Sequence, residues 1–85
     1  MSGPRLQIDL DALVANWRMF QRRVEPAYAA AVVKADAYGL GAATVATALN
    51  KAGCSRFYVA WPSEGGALRR ALGPLPEITV FHGPT

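Results

Sequence analysis

The chain has 85 residues, a net charge of +3 from nine basic and six acidic side chains, and 52% hydrophobic against 18% charged residues, so it holds at most one small domain. A chain this short buries only roughly 60–65% of its unfolded surface, and so apolar a composition suits elements that are covered on both sides within something larger. The basic residues are scattered, with Arg22-Arg23 and Arg69-Arg70 the densest pairs. No aromatic-interleaved basic stripe marks a nucleic-acid module, which argues against a polyanion-binding role.

The opening MSGPRLQIDL lacks the apolar core of a secretion signal, and no run reaches membrane-spanning length. The expectation is a cytoplasmic protein with no membrane or nucleic-acid partner. Arg5 to Ile8 reads as a short extended lead-in. Asp9 to Val24 carries the clearest helical period, with Leu10, Leu13, Val14, Trp17, Phe20 and Val24 at spacings of three and four. Asp9 or Asp11 can cap its start, and Pro26 forbids continuation. Tyr28 to Lys34 is continuously apolar up to its lysine, as expected of a strand covered on both faces.

A second helix is expected over Gly41 to Ala52, with Val45, Ala48, Leu49 and Ala52 inward and Gly53 as its left-handed stop. Arg56 to Trp61 (RFYVAW) reads as a strand from its aromatic and β-branched content. Pro62 and Ser63 open a third helix, with Ser63 as the cap and Glu64 in the first turn. Leu68, Ala71 and Leu72 form its inner side, Gly73-Pro74 ends it, and Glu77 to His82 reads as a third strand. The two arginine pairs fall near helix ends, where cations suit the helix dipole.

Strands alternating with helices call for right-handed parallel βαβ units. A flavodoxin-like sheet and a (β/α)8 barrel both begin this way. Three strands finish neither, because a parallel sheet needs both faces covered and a barrel needs its edges joined. A barrel takes roughly 250 residues, so the expectation is that residues 1–85 form an amino-terminal fragment.

Cys54 is the only cysteine and His82 the only histidine, on different expected elements. No disulfide can form within the chain, no third group orients a Cys–His pair, and the two fall short of a metal cluster. The expected site contains no metal. Lys34 is the more informative residue. It ends the first strand and precedes the turn into a helix, and the carboxyl ends of strands are where α/β folds build active sites. A partly desolvated amine there can form a Schiff base with an aldehyde cofactor; the plainer alternative is a lysine that solvates the end of a strand. The glycines of Tyr38-Gly39-Leu40-Gly41 do not make a nucleotide loop. Thr44 stands where the third glycine of GxGxxG belongs, and Lys34 precedes the glycines, unlike a Walker lysine.

The run Val32 to Gly41, VVKADAYGLG, resembles the pyridoxal-phosphate attachment signature of the alanine racemase family. That signature is a hydrophobic strand, the lysine, then Ala, Asp or Asn, Ala or Gly, Tyr, Gly, a frequent His, and Gly. Here Leu40 takes the place of the histidine. The resemblance covers essentially the whole chain: IDLDALVANWRMF, including Asn16, is similar to the family's opening strand and helix. GCSRFYVAWPSEGGALRRAL resembles its second strand and the following Glu–small–Leu–Arg helix, and EITVFHG resembles its third strand.

The resemblance implies an α/β fold: the first three or so βα units of a parallel (β/α)8 barrel, truncated, with Lys34 at the carboxyl end of the first barrel strand. It implies that Lys34 carries pyridoxal 5'-phosphate as an internal aldimine and serves as a base on one face of the substrate α-carbon. Desolvation by the apolar strand would lower the lysine from its usual roughly 10.4 toward a working range. Tyr38 matches the family tyrosine that contacts the cofactor phosphate. The family is homodimeric and interconverts L- and D-alanine, supplying D-alanine for peptidoglycan. Its second acid–base group is a tyrosine from a carboxyl-terminal β domain of the partner subunit. The arginine facing the pyridine nitrogen and most phosphate ligands come from later strands. None of these lies in residues 1–85, so the isolated chain is expected to be inactive. Alternatives of the same barrel type are another amino-acid racemase or a decarboxylase. A non-catalytic pyridoxal-phosphate carrier, or a fragment without function, comes from a different class.

Overall fold

A computed structural model describes residues 4–33 and 41–81. The elements run α1 (Pro4–Val24), β1 (Ala31–Val32), α2 (Ala42–Lys51), β2 (Arg56–Val59), α3 (Pro62–Leu72) and β3 (Glu77–Val80). The strands form one parallel sheet in the order β1-β2-β3, with Ala31 opposite Phe57 and Phe57 opposite Ile78. Each parallel step is made through an intervening helix, as parallel pairing requires.

Helix α1 starts earlier than the sequence suggests. Residues 5–8 are helical, not an extended lead-in, and Asp9 and Asp11 lie inside the helix instead of capping it. An extended segment without a neighbouring strand leaves its backbone unpaired, whereas a helix satisfies its own, and the fixed φ of Pro4 suits a first turn. Leu10, Leu13, Val14 and Trp17 pack against the core as expected, but Phe20 is 54% exposed. Gln21 takes the next inward position, one turn after Trp17, and binds backbone there.

Burial alternates along the strands. Ala31, Val33, Phe57 and Val59 are buried beneath Val45, Ala46 and Leu49 of α2 and Leu68 of α3, with Ile78 and Val80 packed alongside. The opposite row, Val32, Tyr58 and Thr79, is in register across the three strands, and Val32 is 68% exposed. The expectation that the first strand is covered on both faces is therefore corrected. Helices cover one face, and the described residues place nothing on the other. All three strands also come out shorter than their apolar runs, because a ladder needs a neighbour: Tyr28 precedes the pairing with β2, and Trp61 has turned into α3.

The turns follow local chemistry. Gly41 at φ 88° and Gly53 at φ 117° bracket α2 in a region that side chains avoid. At α3 the expected cap Ser63 lies within the helix. Pro62 occupies the first turn, and Glu64 does the capping by accepting from the backbone N–H of Trp61 at 2.9 Å and of Ala60 at 3.1 Å. Ala71, expected inward, is exposed, while Leu68 carries the contact at 1% exposure. Arg69, in the last turn of α3, donates to the carbonyls of Gly73 (3.0 Å) and Pro76 (2.6 Å), tying down the loop into β3.

Candidate functional site

The carboxyl ends of the three strands come together around a concavity of about 260 Å³. Its wall is Val32 of β1 and Val33 just after it, Tyr58 and Val59 of β2 and Ala60 just after it, and Phe81 just after β3, with Trp61 and Glu64 at the rim. Main-chain hydrogen bonds hold this edge: Val33 N–H to Tyr58 O at 2.9 Å and Phe81 N–H to Val59 O at 2.6 Å. The carboxylate of Glu64 is committed to the Ala60 and Trp61 amides. The lining is thus mainly apolar, with one engaged acid.

Lys34 and Tyr38, the residues singled out from the sequence, lie outside the described residues, as does His82. Val33, the last described residue before them, lines the concavity. Reasoning from sequence missed Val32, Tyr58 and Phe81 as wall residues. The signal was the period of two within each strand, which the unbroken apolar runs conceal.

Cys54 sits at the other end of the sheet, just before β2, with no exposed surface. Its thiol donates to the carbonyl of Arg56 at 3.3 Å and more weakly to that of Ala29 at 3.9 Å. Burial pushes its pKa up from 9.0, against a smaller downward pull from the Arg56 backbone hydrogen bond. A buried, protonated thiol is a core residue. At the same end Arg56 pairs with Glu77 at 3.3 Å and lies 5.6 Å from the centre of the Tyr28 ring, both arginine contacts being largely solvated. Among the described residues no group of three or more His, Cys, Asp or Glu side chains converges as a metal site, and no helix is long and apolar enough to cross a membrane.

A parallel sheet with helices on one face, an open face opposite, and a concavity at the strand carboxyl ends defines the amino-terminal part of a (β/α)8-type barrel. A crystal structure of alanine racemase from Bartonella henselae, with covalently bound pyridoxal phosphate, superposes on 89% of the chain at a TM-score of 0.81 and 42% identity. The family model "Alanine racemase, N-terminal domain" matches residues 8–85, and the chain belongs to that family. It is 55% identical over 83 residues to the alanine racemase of Jannaschia sp. and 56% identical over 84 residues to that of Cereibacter sphaeroides. Each alignment takes in 98% of this chain and 24% of the relative, so the chain spans about a quarter of the length of these curated relatives. The Bartonella structure is covered to 21%.

Proposed function

We propose that residues 1–85 are the amino-terminal segment of a pyridoxal-phosphate-dependent alanine racemase, and that Lys34 is its cofactor-bearing lysine. The observation that carries this reading is the run Val32 to Gly41, whose lysine directly follows Val33 on the wall of the strand-end concavity. On β1 the even-numbered Val32 belongs to the open face.

The described wall fits such a group in part. Val32, Tyr58 and Phe81 offer apolar surface for a flat ring. Among the described lining residues none is a cation for the phosphate, a duty this reading assigns to the Tyr38 hydroxyl and to residues beyond the chain. Bound pyridoxal phosphate supplies the electron sink that stabilises charge left at the substrate α-carbon when its proton departs. The ε-amine of Lys34 would hold the cofactor and would act as the base on one face of that carbon. A second acid–base group for the opposite face is assigned to the partner subunit of a homodimer. The 85 residues alone therefore do not racemise alanine. The whole protein is assigned to the cytoplasm and to the supply of D-alanine for peptidoglycan.

The test is borohydride reduction of the cofactor-loaded full-length protein, followed by peptide mapping. The expected result is label on the Lys34 peptide. Label confined to Lys51, or a Lys34→Ala protein that racemises alanine at the parental rate, would refute the assignment.

A further inference from the structure

Strand β1 specifies its own register poorly. Ala27, Ala29 and Ala31 recur at every second position. Ala29 and Ala31 face the helices at 5% and 9% exposure, ahead of the buried Val33. Moving the strand forward by two residues exchanges alanine for alanine at the sites of Ala29 and Ala31. At the site of Val33 it costs only the two methyl groups by which valine exceeds alanine. On the buried row, side-chain packing therefore distinguishes the two registers at the Val33 site alone. The described ladder to β2 is short as well: two residue pairs, Ala31 with Phe57 and Val32 with Tyr58.

The register is instead counted off from α1. Four backbone groups leading into β1 are tied to that helix. The N–H of Ala27 donates to the carbonyl of Val24 at 2.9 Å, closing the turn after α1. Its carbonyl accepts from Nε2 of Gln21 at 2.9 Å. The N–H of Ala29 donates to Oε1 of the same Gln21 at 2.5 Å, and the carbonyl of Ala29 accepts from Nε1 of Trp17 at 3.3 Å. One primary amide thus donates to one alanine and accepts from the next but one, which neither an acid nor a hydrocarbon of that length can do. In a register slipped by two, Ala27 would leave both the turn and the amide.

We propose that Gln21, aided by Trp17, is a positioning residue that locks the register of β1 against β2 and so fixes where Val33 meets the strand-end concavity. The consequence for catalysis rests on the Lys34 reading above. A two-residue slip moves the chain along its axis by roughly 6–7 Å, enough to carry the lysine off the site.

The experiment uses the full-length protein and three variants: Gln21→Met, which keeps length and loses both bonds; Gln21→Glu, which keeps the acceptor for Ala29; and Trp17→Phe, which keeps ring packing and loses the donor. Two quantities are read on the folded protein. One is hydrogen exchange of the Val33 amide, bonded to Tyr58 O, relative to the Phe81 amide, bonded to Val59 O across the β2–β3 ladder. The other is the fraction of cofactor trapped by borohydride on the Lys34 peptide. For Gln21→Met, Val33 exchange should rise about 25-fold relative to Phe81, the factor that corresponds to two net hydrogen bonds, and the Lys34 label should fall with it. Gln21→Glu keeps the bond from Ala29 but has no donor for the Ala27 carbonyl, so it should fall between the parent and Gln21→Met, at about fivefold. If Gln21→Met does not fold, Trp17→Phe should show the same selective change. A merely structural role would lower the melting temperature while raising Val33 and Phe81 exchange together and leaving the label in place; that result, or no change in either readout, overturns the lock. Absence of Lys34 label in the parent overturns the reading of Lys34 instead, and the exchange ratio still decides the register.

Discussion

Gly65 closes the first turn of α3, the helix that packs on β2 and β3, and replacing it with alanine should stabilise the protein. A Cβ built at Gly65 meets the Cγ2 atoms of Val59 and Val80 at 3.6 Å each and that of Ile78 at 3.7 Å. These are ordinary van der Waals separations, so a methyl group enters without moving its neighbours. Glycine is about 0.8–1.0 kcal/mol less favourable than alanine inside a helix. One added methyl buried against three others contributes up to about 0.8 kcal/mol, reduced here because the site is only partly covered. The net expectation for Gly65→Ala is a gain of about 1–1.5 kcal/mol. On a chain of this size that corresponds to a melting temperature higher by roughly 4–10 °C. Urea unfolding followed by the fluorescence of Trp17 and Trp61 measures it, through a midpoint that rises at constant slope. Gly65→Leu is the control. Its branch atoms lie beyond the Cβ, in space held by Val59, Ile78 and Val80, and should cost about 1–3 kcal/mol through overpacking. A Gly65→Ala protein less stable than the parent, or alanine and leucine shifting stability in the same direction, would show that α3 does not approach the sheet as described.

Glu64→Ala should destabilise by about 1–2 kcal/mol, because it frees the N–H groups of Ala60 and Trp61 at the rim of the concavity; Glu64→Gln should cost less, since the amide oxygen can still accept, and a midpoint shift in urea distinguishes them. Cys54 should resist aromatic disulfide reagents in the folded protein and react at once in denaturant, and a fast native reaction would contradict its burial. The folded thiol titrates above the unfolded value of 9.0, so below that pH both states hold the proton and stability is unaffected by it. Above it the unfolded chain ionises first and stability falls as pH rises. Cys54→Ala should remove that component of the alkaline loss, seen as a flatter stability curve above pH 9.0 than the parent's.

Much of the architecture was legible from residue order. Alternating periods of helix and strand, ended by Pro26, Gly53 and Gly73, give six elements in the observed sequence, and the apolar stripe of α1 is correct from Leu10 to Trp17. The departures have two causes. Local preference points to an extended Arg5 to Ile8 and to caps at Asp9 or Asp11 and at Ser63, yet the start of each helix depends on which backbone groups find partners. Phe20 and Ala71 fit the period and are nevertheless exposed, because periodicity marks a stripe but not how far the neighbouring element reaches along it. The residues with chemical promise were likewise legible only as a string. Lys34 and Tyr38 stand out by type and spacing in VVKADAYGLG, whereas Val32, Tyr58 and Phe81 became wall residues only when three strands aligned their carboxyl ends.

The chain's order of amino acids thus determined by itself the succession of helices and strands, the parallel pairing this implies, and the family to which the lysine motif points, because periodicity and motif spacing are local properties. Which face of the sheet is covered, and that Glu64 rather than Ser63 caps α3, followed from the folded arrangement. It alone revealed that Ala29 is held from both sides by α1. Those outcomes depend on where backbone donors and acceptors separated along the chain meet in space, and a run such as Ala27-Tyr28-Ala29-Ala30-Ala31 carries too little difference between its own positions to specify them.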